Sequence, residues 1–245
     1  MVRAFLITFS LLIVNIIYSQ QKGTVNIVYS QSVFWNIEDS TKYDKEQYFA
    51  LKNAMDKKTY FILKTNFHES IYKNEPKINN SLPSSDLDIT FSNSENYIYI
   101  NFLDSISITE ETYPKKFFIK EKLPNYDWNL TEKTKKYKDF EINLATSIIN
   151  GYKIDAWYTN SIEIRTGPKN FWGLPGLILI VEITHQKSGE KTQILMESIN
   201  YEDTDYSIKP KIKKGLVVSR EYYNRILENH IKKENDLYGL GVDTE

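Results

Sequence analysis

The chain has 245 residues and a formal net charge of −1, with 31 basic and 32 acidic residues. This balance excludes the basic surface typical of a nucleic-acid-binding protein. The absence of cysteine excludes disulfides, a thiol nucleophile, a zinc–thiolate site and lipid attachment to an N-terminal cysteine. The 18 tyrosines and 12 phenylalanines, against 9 glycines, favour β-strands.

The start of the chain has the pattern of an export signal. Arg3 supplies a positive charge, Ala4 to Ile17 form an apolar run, and Ser19 is a small residue at the expected cleavage position. A membrane anchor is the alternative, but the run is shorter than the roughly 20 apolar residues of a span. We therefore expect a cleaved signal peptide at 1–19 and a periplasmic or extracellular product that is not a lipoprotein. The mature chain, 20–245, is expected to be a single β-rich domain with no transmembrane span.

The first half of the mature chain predicts strands and one short helix. Gly23 to Phe34 alternates as a strand does. A helix near 45–56 follows, because Asp44 can cap it and Gln47 completes a capping box. Its apolar face is expected to cover the sheet. The polar stretch from Asn74 to Ser85 predicts a long loop. Further short strands are expected at 59–65, 67–72, 97–102, 106–108, 116–122, 128–130, 140–148, 152–159 and 192–199.

The stretch from Gly167 to Ile183 combines a corner with the most apolar segment of the mature chain. Pro175 and Gly176 suit the two central positions of a type II turn. Leu177 to Ile183 is rich in β-branched residues and predicts a strand buried on both faces. Near the C-terminus, Ser219 can cap a helix near 220–235. These patterns predict a mostly β (α+β) fold, with a curved, half-barrel-like antiparallel meander sheet, a short covering helix and a C-terminal helix.

The hexapeptide Gly173-Leu174-Pro175-Gly176-Leu177-Ile178 resembles the signature of the GLPGLI family, secreted proteins of Gram-negative bacteria. The flanks agree with the family pattern at Ala156-Trp157-Tyr158-Thr159, Gly167-Pro168 and Phe171. The resemblance departs at Gly151-Tyr152, where the family often has Gly-Arg, and near Leu144, where it often has a cysteine. A redox or metal role at that position therefore does not transfer. The resemblance implies export and a β-rich fold, and it brings no established activity.

No motif in the sequence names a reaction, and we assign no catalytic, cofactor-binding or metal-binding residue. The three histidines lack the spacing of a helical metal site, and no serine lies in a nucleophile elbow. The neighbours Glu110 and Glu111 should face opposite sides of a strand. Asp155 and Glu182 stand as single acidic residues among apolar ones. We expect Glu182 either to lie at an exposed strand end or to pair with a cation such as Arg165 or Lys169.

Two functions are compatible with these patterns. The first is a non-catalytic envelope protein that binds an apolar or lipid-like ligand, a peptide or an outer-membrane partner through an aromatic-lined surface. The residues expected to make that contact are Trp157, Phe171, Trp172 and Leu174. The alternative is a hydrolase acting on peptides or glycans with two carboxylates. For glycans these would lie about 5–5.5 Å apart in a retaining enzyme or about 6.5–9.5 Å apart in an inverting one.

Overall fold

The computed structural model describes residues 23–35, 44–74, 95–203, 208–210, 212 and 215–237. The expected signal peptide at 1–19 lies outside these residues, as does the predicted polar loop beyond Asn74. The secondary structure elements are β1 (Thr24–Phe34), α1 (Lys45–Asp56), β2 (Thr59–Thr65), β3 (Glu69–Asn74), β4 (Glu95–Asn101), β5 (Ile106–Glu111), β6 (Phe117–Lys122), β7 (Asn129–Tyr137), β8 (Phe140–Ile149), β9 (Tyr152–Thr159), β10 (Leu177–His185), β11 (Lys191–Glu202), β12 (Leu216–Val218) and α2 (Arg220–Leu237).

The described strands form one 12-stranded sheet in the order β12-β6-β5-β4-β3-β2-β1-β11-β10-β9-β8-β7. All neighbouring strands are antiparallel except β12 and β6, which are parallel. The chain therefore makes two meanders, β1 to β6 and β7 to β11, that join where β11 pairs with β1. The predicted mostly β fold with an antiparallel meander sheet is confirmed.

The link between the two meanders requires the sheet to curve. We call residues 123–128, between β6 and β7, the crossover. An extended chain of this length reaches roughly 25 Å. The strands that it joins are ten positions apart in the sheet, which would be about 48 Å in a flat sheet. The sheet therefore curls, and the crossover passes over its concave side.

The core fills this concave side. Alternate residues of the central strands point into it, among them Ile27, Tyr29 and Leu63. Tyr126 of the crossover and Phe171 and Leu174, from the segment between β9 and β10, belong to the same buried cluster. Two connecting segments thus supply the layer that a curved sheet needs to bury its apolar face.

Strand β10 confirms the buried strand predicted after the corner, but the predicted type II turn is wrong. Leu177 to Val181 are buried on both sides of the strand. A type II turn would need a positive φ at Gly176, whereas the positive φ angles of this segment are at Lys169, at 55°, and at Gly173, at 91°. Glycine is required at 176 for a different reason, because a Cβ atom there would lie 1.9 Å from the Thr159 carbonyl oxygen.

Both predicted helices are present. The backbone nitrogen of Gln47 donates to the Asp44 carboxylate over 2.8 Å, and the reciprocal half of the capping box is also formed. Helix α1 packs beside β1 with half-buried Leu51 and Met55. Helix α2 begins after Ser219, whose hydroxyl accepts a hydrogen bond from the next turn, and it packs through Tyr223 against β6.

Candidate binding face

The four residues expected to contact a ligand or partner lie in different surroundings. Phe171 and Leu174 are only 4% and 1% exposed and pack in the concave core. Trp172 is half-buried in the segment before β10, and Trp157 is half-buried on β9. Phe171 and Leu174 therefore present almost no surface to a ligand, while both tryptophans keep part of their rings accessible.

Trp172 belongs to a corner that is locked onto the crossover. We call residues 165–176 the corner. The Trp128 indole donates to the carbonyl oxygen of Trp172 over 2.8 Å, and the Trp172 indole donates to the carbonyl oxygen of Pro124 over 2.8 Å. The Tyr126 hydroxyl also donates to the side-chain oxygen of Asn170 over 3.0 Å. Asn170 and Trp172, which come just before the Gly-Leu-Pro-Gly segment, thus join the corner to the crossover over the core.

Trp157 lies on the opposite, convex face of the sheet. The Ser147 hydroxyl donates to the carbonyl oxygen of Tyr126 in the crossover, so Ser147 faces the concave side. Its partner on β9 is Ile154, which shares that side. Because side chains alternate along a strand, Trp157 points to the convex side. The structure thus separates Trp157 from the three corner residues with which it was grouped.

A polar row crosses the convex face beside Trp157. Its members, one from each of β8, β9, β10 and β11, are paired directly across the strands: they are Thr146, Asp155, Glu182 and Gln193. Directly opposite residues have Cβ atoms about 4.5–5.5 Å apart. Asp155 and Glu182, which looked isolated in the sequence, are therefore neighbours. Their pairing depends on strand register, which no local sequence pattern reveals.

The carboxylate of Glu182 is held in its ionised form. Its two oxygens lie 2.9 Å from the Lys191 ammonium and 2.7 Å from the Gln193 amide nitrogen. Burial by itself would raise the pKa, but hydrogen bonds from Lys191 and Gln193, with the charges of Lys191 and Lys135, hold the pKa of Glu182 below its ordinary value. The structure thus gives Glu182 the cation Lys191, and the expected pairing with Arg165 or Lys169 is wrong.

The two oxygens of the Asp155 carboxylate, unlike those of Glu182, are not both hydrogen-bonded. One carboxylate oxygen lies 2.8 Å from the Lys153 ammonium. The other oxygen is shielded from solvent and has no hydrogen-bond partner among the described residues. A shielded acceptor of this kind is rare in folded proteins.

Lys135 on β7 completes the surroundings of Trp157. Its ammonium lies 3.9 Å from the centre of the Trp157 ring, a close cation–π contact. On either side of Trp157, on the same face, the adjacent strands place Leu144 and Ile180, both buried. We call this surface the Trp157 face; it consists of Lys135, Asp155, Trp157, Glu182, Lys191 and Gln193. It is an aromatic surface with fixed charges beside it, backed by core packing.

The other titratable residues considered in the sequence do not form a site. The His185 ring is hydrogen-bonded to Ser188 in the β10–β11 hairpin, and His230 lies 3.5 Å from Glu234 on α2. Glu110 pairs with Lys116, whereas Glu111 faces Arg220 at 4.0 Å. The described residues include no group of three or more acidic or histidine side chains placed to hold a metal ion. None of the helices described is both long and apolar enough to cross a membrane.

Comparison with known proteins shows that part of the sequence matches a protein family and that the fold is similar to that of solved structures. The sequence model of a family of proteins of unknown function, Porph_ging, matches residues 115–180, which include the whole hexapeptide. No curated protein matches. Two crystal forms of PNGF-II, each 17% identical, superpose with TM-scores of 0.52 and 0.53 over 83% of this chain.

The chain spans 32% and 33% of those two PNGF-II chains, so it resembles about a third of a larger protein. An uncharacterised conserved protein from Thermus thermophilus aligns over 83% of this chain and 93% of its own length, with 10% identity and a TM-score of 0.41. At these identities the likeness to PNGF-II concerns the fold alone. The chain is thus a curved, open antiparallel sheet protein whose residues 115–180 match a family of unknown function.

Proposed function

We propose that this protein is a non-catalytic protein of the cell envelope that binds a peptide or protein partner on the Trp157 face. The observation that carries this proposal is the position of half-buried Trp157 beside a row of fixed polar groups, Asp155, Glu182 and Gln193. Tryptophan anchors surrounded by oriented polar groups dominate the binding energy of many protein interfaces. The expected export signal supports the location.

The Trp157 face is suited to binding because it is preorganised. Strands β8 to β11 each have a paired neighbour on both sides, so their backbones are fixed. The Glu182 carboxylate already has its hydrogen bonds to Lys191 and Gln193. A partner that docks here would therefore lose less conformational freedom on the protein's side than it would on a loop.

The burial of two corner residues favours a peptide or protein partner over an apolar ligand. Phe171 and Leu174 are packed in the core, so an apolar molecule that used them would have to displace part of the concave layer. Loss of core packing of that kind costs several kcal/mol, roughly 2–5 for one large side chain. A peptide or protein that uses Trp157 needs no such rearrangement.

The pairing of Asp155 with Glu182 is the one observation that favours the alternative, a carboxylate-dependent hydrolase. Such an enzyme needs one carboxyl group that keeps its proton near neutral pH to act as a general acid. The pKa of Glu182 is shifted in the opposite direction, because Lys191 and Gln193 stabilise its charged form. Glu182 is therefore unsuited to the role of that general acid.

The proposal can be tested with a photo-activatable amino acid in the exported full chain. It would be placed at position 157, with position 222 as a control, since Tyr222 is exposed on α2. After illumination in cells, mass spectrometry of both proteins and lipids would identify adducts. We expect a discrete protein or peptide adduct from position 157 that is absent from position 222.

Two results would contradict the proposal. One is the recovery of lipid adducts alone, or of the same adducts from both positions. The other is hydrolysis of a peptide or glycan panel by the purified protein that disappears in both Asp155→Asn and Glu182→Gln.

A further inference from the structure

The two carboxylates of the Trp157 face each have a lysine of their own. Asp155 lies 2.8 Å from the Lys153 ammonium, and Glu182 lies 2.9 Å from the Lys191 ammonium. Each pair carries no net charge, because one positive and one negative group cancel. A partner that docks here therefore meets the two pairs as a polar surface without an excess of either charge.

Lys135 is the cation that remains. Its side chain is exposed, and it forms no ion pair with a carboxylate among the described residues, although its charge acts on Glu182 from a longer distance. The Trp157 face and Lys153 beside it thus hold three lysines against two carboxylates. A cation brought to this surface would be repelled by the surplus charge, whereas a carboxylate would be attracted.

The ammonium of Lys135 is held in place beside the aromatic ring. It lies 3.9 Å from the centre of the Trp157 ring. Two residues further along β7, the Tyr137 hydroxyl donates to the carbonyl oxygen of Met196 on β11 over 2.9 Å. In a flat sheet β7 and β11, which are four positions apart, would be separated by about 19 Å. The end of the β7–β8 hairpin therefore folds back over the convex face and fixes the strand that carries Lys135.

A second carboxylate on the convex face shows the same excess of lysine. Glu197 accepts a hydrogen bond from the Ser30 hydroxyl over 2.6 Å, and strand pairing places Ser30 in the same row as Trp157. Two ammonium groups, those of Lys138 and Lys58, lie 3.6 and 4.0 Å from the Glu197 oxygens. The surplus of positive charge on this side of the sheet is therefore not confined to Lys135.

We propose that the partner segment bound on the Trp157 face is acidic, and this inference rests on the function proposed above. An aspartate or glutamate of the partner accepts a hydrogen bond from the Lys135 ammonium. A neighbouring apolar side chain of the partner packs on the accessible part of the Trp157 ring. Trp157 then supplies the apolar contact, and Lys135 sets the charge preference, as charged groups beside an interface commonly do.

The adducts recovered from the photo-activatable residue at position 157 test the charge of the partner. Mass spectrometry of the adduct gives the sequence of the captured segment, in which we expect aspartate and glutamate to outnumber lysine and arginine. A captured segment that is basic or uncharged would overturn this inference and leave the proposed function standing. The absence of any protein or peptide adduct would contradict both.

Short peptides measure the charge preference on the purified full chain. The probes are three peptides of the form acetyl-Gly-X-Leu-X-Gly-amide, in which X is glutamate, glutamine or lysine. Binding is followed by NMR through the indole N–H resonance of Trp157, which is assigned by its loss in Trp157→Phe. We expect saturable shifts, with the glutamate peptide binding most tightly and the lysine peptide least tightly. Added sodium chloride should reduce the difference, because salt screens exposed charges.

Two variants of Lys135 and a matched control test the assignment. Lys135→Gln should weaken binding of the glutamate peptide about fivefold, which is the upper range for an exposed ion pair. Lys135→Glu should reverse the order, so that the lysine peptide binds more tightly than the glutamate peptide; a merely structural role for Lys135 would not produce that reversal. Lys136→Gln removes the same charge from the next residue of β7, whose side chain points to the other side of the sheet, and should bind as the unaltered protein does.

The inference would be overturned if none of the three peptides shifted the Trp157 resonance, or if the lysine peptide bound the unaltered protein at least as tightly as the glutamate peptide. It would also be overturned if Lys135→Glu kept the preference of the unaltered protein.

Discussion

The indole of Trp128, in the crossover, donates a hydrogen bond to the carbonyl oxygen of Trp172, in the corner, over 2.8 Å. These two tryptophans belong to different connecting segments and join them above the concave core. We predict that Trp128→Phe lowers the free energy of unfolding by about 1–3 kcal/mol, through the lost hydrogen bond and the smaller ring. Urea unfolding measures the change. Trp157→Phe is the control, and an equal loss in both variants would contradict the role given to the Trp128 indole.

Two of the three glycines of the corner, Gly173 and Gly176, should differ in their tolerance of a methyl group. Gly176→Ala places a Cβ atom 1.9 Å from the backbone oxygen of Thr159, so β9 or β10 must shift. We expect a loss of stability of about 3 kcal/mol or more. Gly173→Ala meets no atom closer than 3.9 Å and should cost about 1 kcal/mol, for its positive φ alone. Thermal unfolding of both variants decides this, and the reverse order would refute the close-approach argument.

The ion pair of Glu182 with Lys191 should make stability depend on pH in the acid range. Because the pKa of Glu182 is lower in the folded protein, its contribution is present above the unfolded pKa and is lost as pH falls through the folded pKa. We expect Glu182→Gln to be less stable than the unaltered protein at pH 7, and this difference to shrink below the ordinary pKa of 4.5. Urea unfolding at several pH values measures it. Glu163→Gln, at an exposed position, is the control; a stability difference for Glu182→Gln that did not vary with pH would exclude the paired carboxylate.

Truncation of the two adjacent tyrosines on α2 should change the free energy of unfolding by very different amounts. Tyr223 is 5% exposed, its ring lies 5.5 Å from that of Phe117, and its hydroxyl donates to the carbonyl oxygen of Tyr113. Tyr223→Ala should therefore lower the free energy of unfolding by about 3–5 kcal/mol. Tyr222, at 40% exposed, should change it by less than about 0.5 kcal/mol when replaced by alanine. If the two variants unfolded at the same urea concentration, α2 would not be docked through Tyr223.

Local sequence patterns were enough to predict the secondary structure elements in which those patterns are strong. The apolar run beginning at Leu177 predicted β10, and the capping box of Asp44 and Gln47 predicted the start of α1. Strand β7 is much longer than the predicted 128–130, because it is an edge strand whose charged residues, such as Lys133 and Lys136, hide the alternation. Strand β12 was missed because three residues give no periodicity.

Features that depend on contacts between distant parts of the chain could not be predicted from local sequence patterns. Gly176 was predicted to be a turn glycine, but glycine is needed there because the backbone of β9 at Thr159 leaves no room for a Cβ atom. Asp155 and Glu182 are far apart in the chain and meet only through the register of β9 with β10. Of the contact residues predicted from the sequence, Trp157 alone lies on the proposed face. That prediction has yet to be tested by binding.

The brevity of the crossover limits how far the sheet can open. Its few residues act as a tether between the outer parts of the two meanders, while β1 and β11 hold the same meanders together at the middle. Flattening would stretch this tether beyond its contour length, so the curvature is enforced by the covalent chain as well as by packing. A run of glycines inserted between Lys122 and Leu123 would slacken the tether and leave the curvature of the sheet to packing alone.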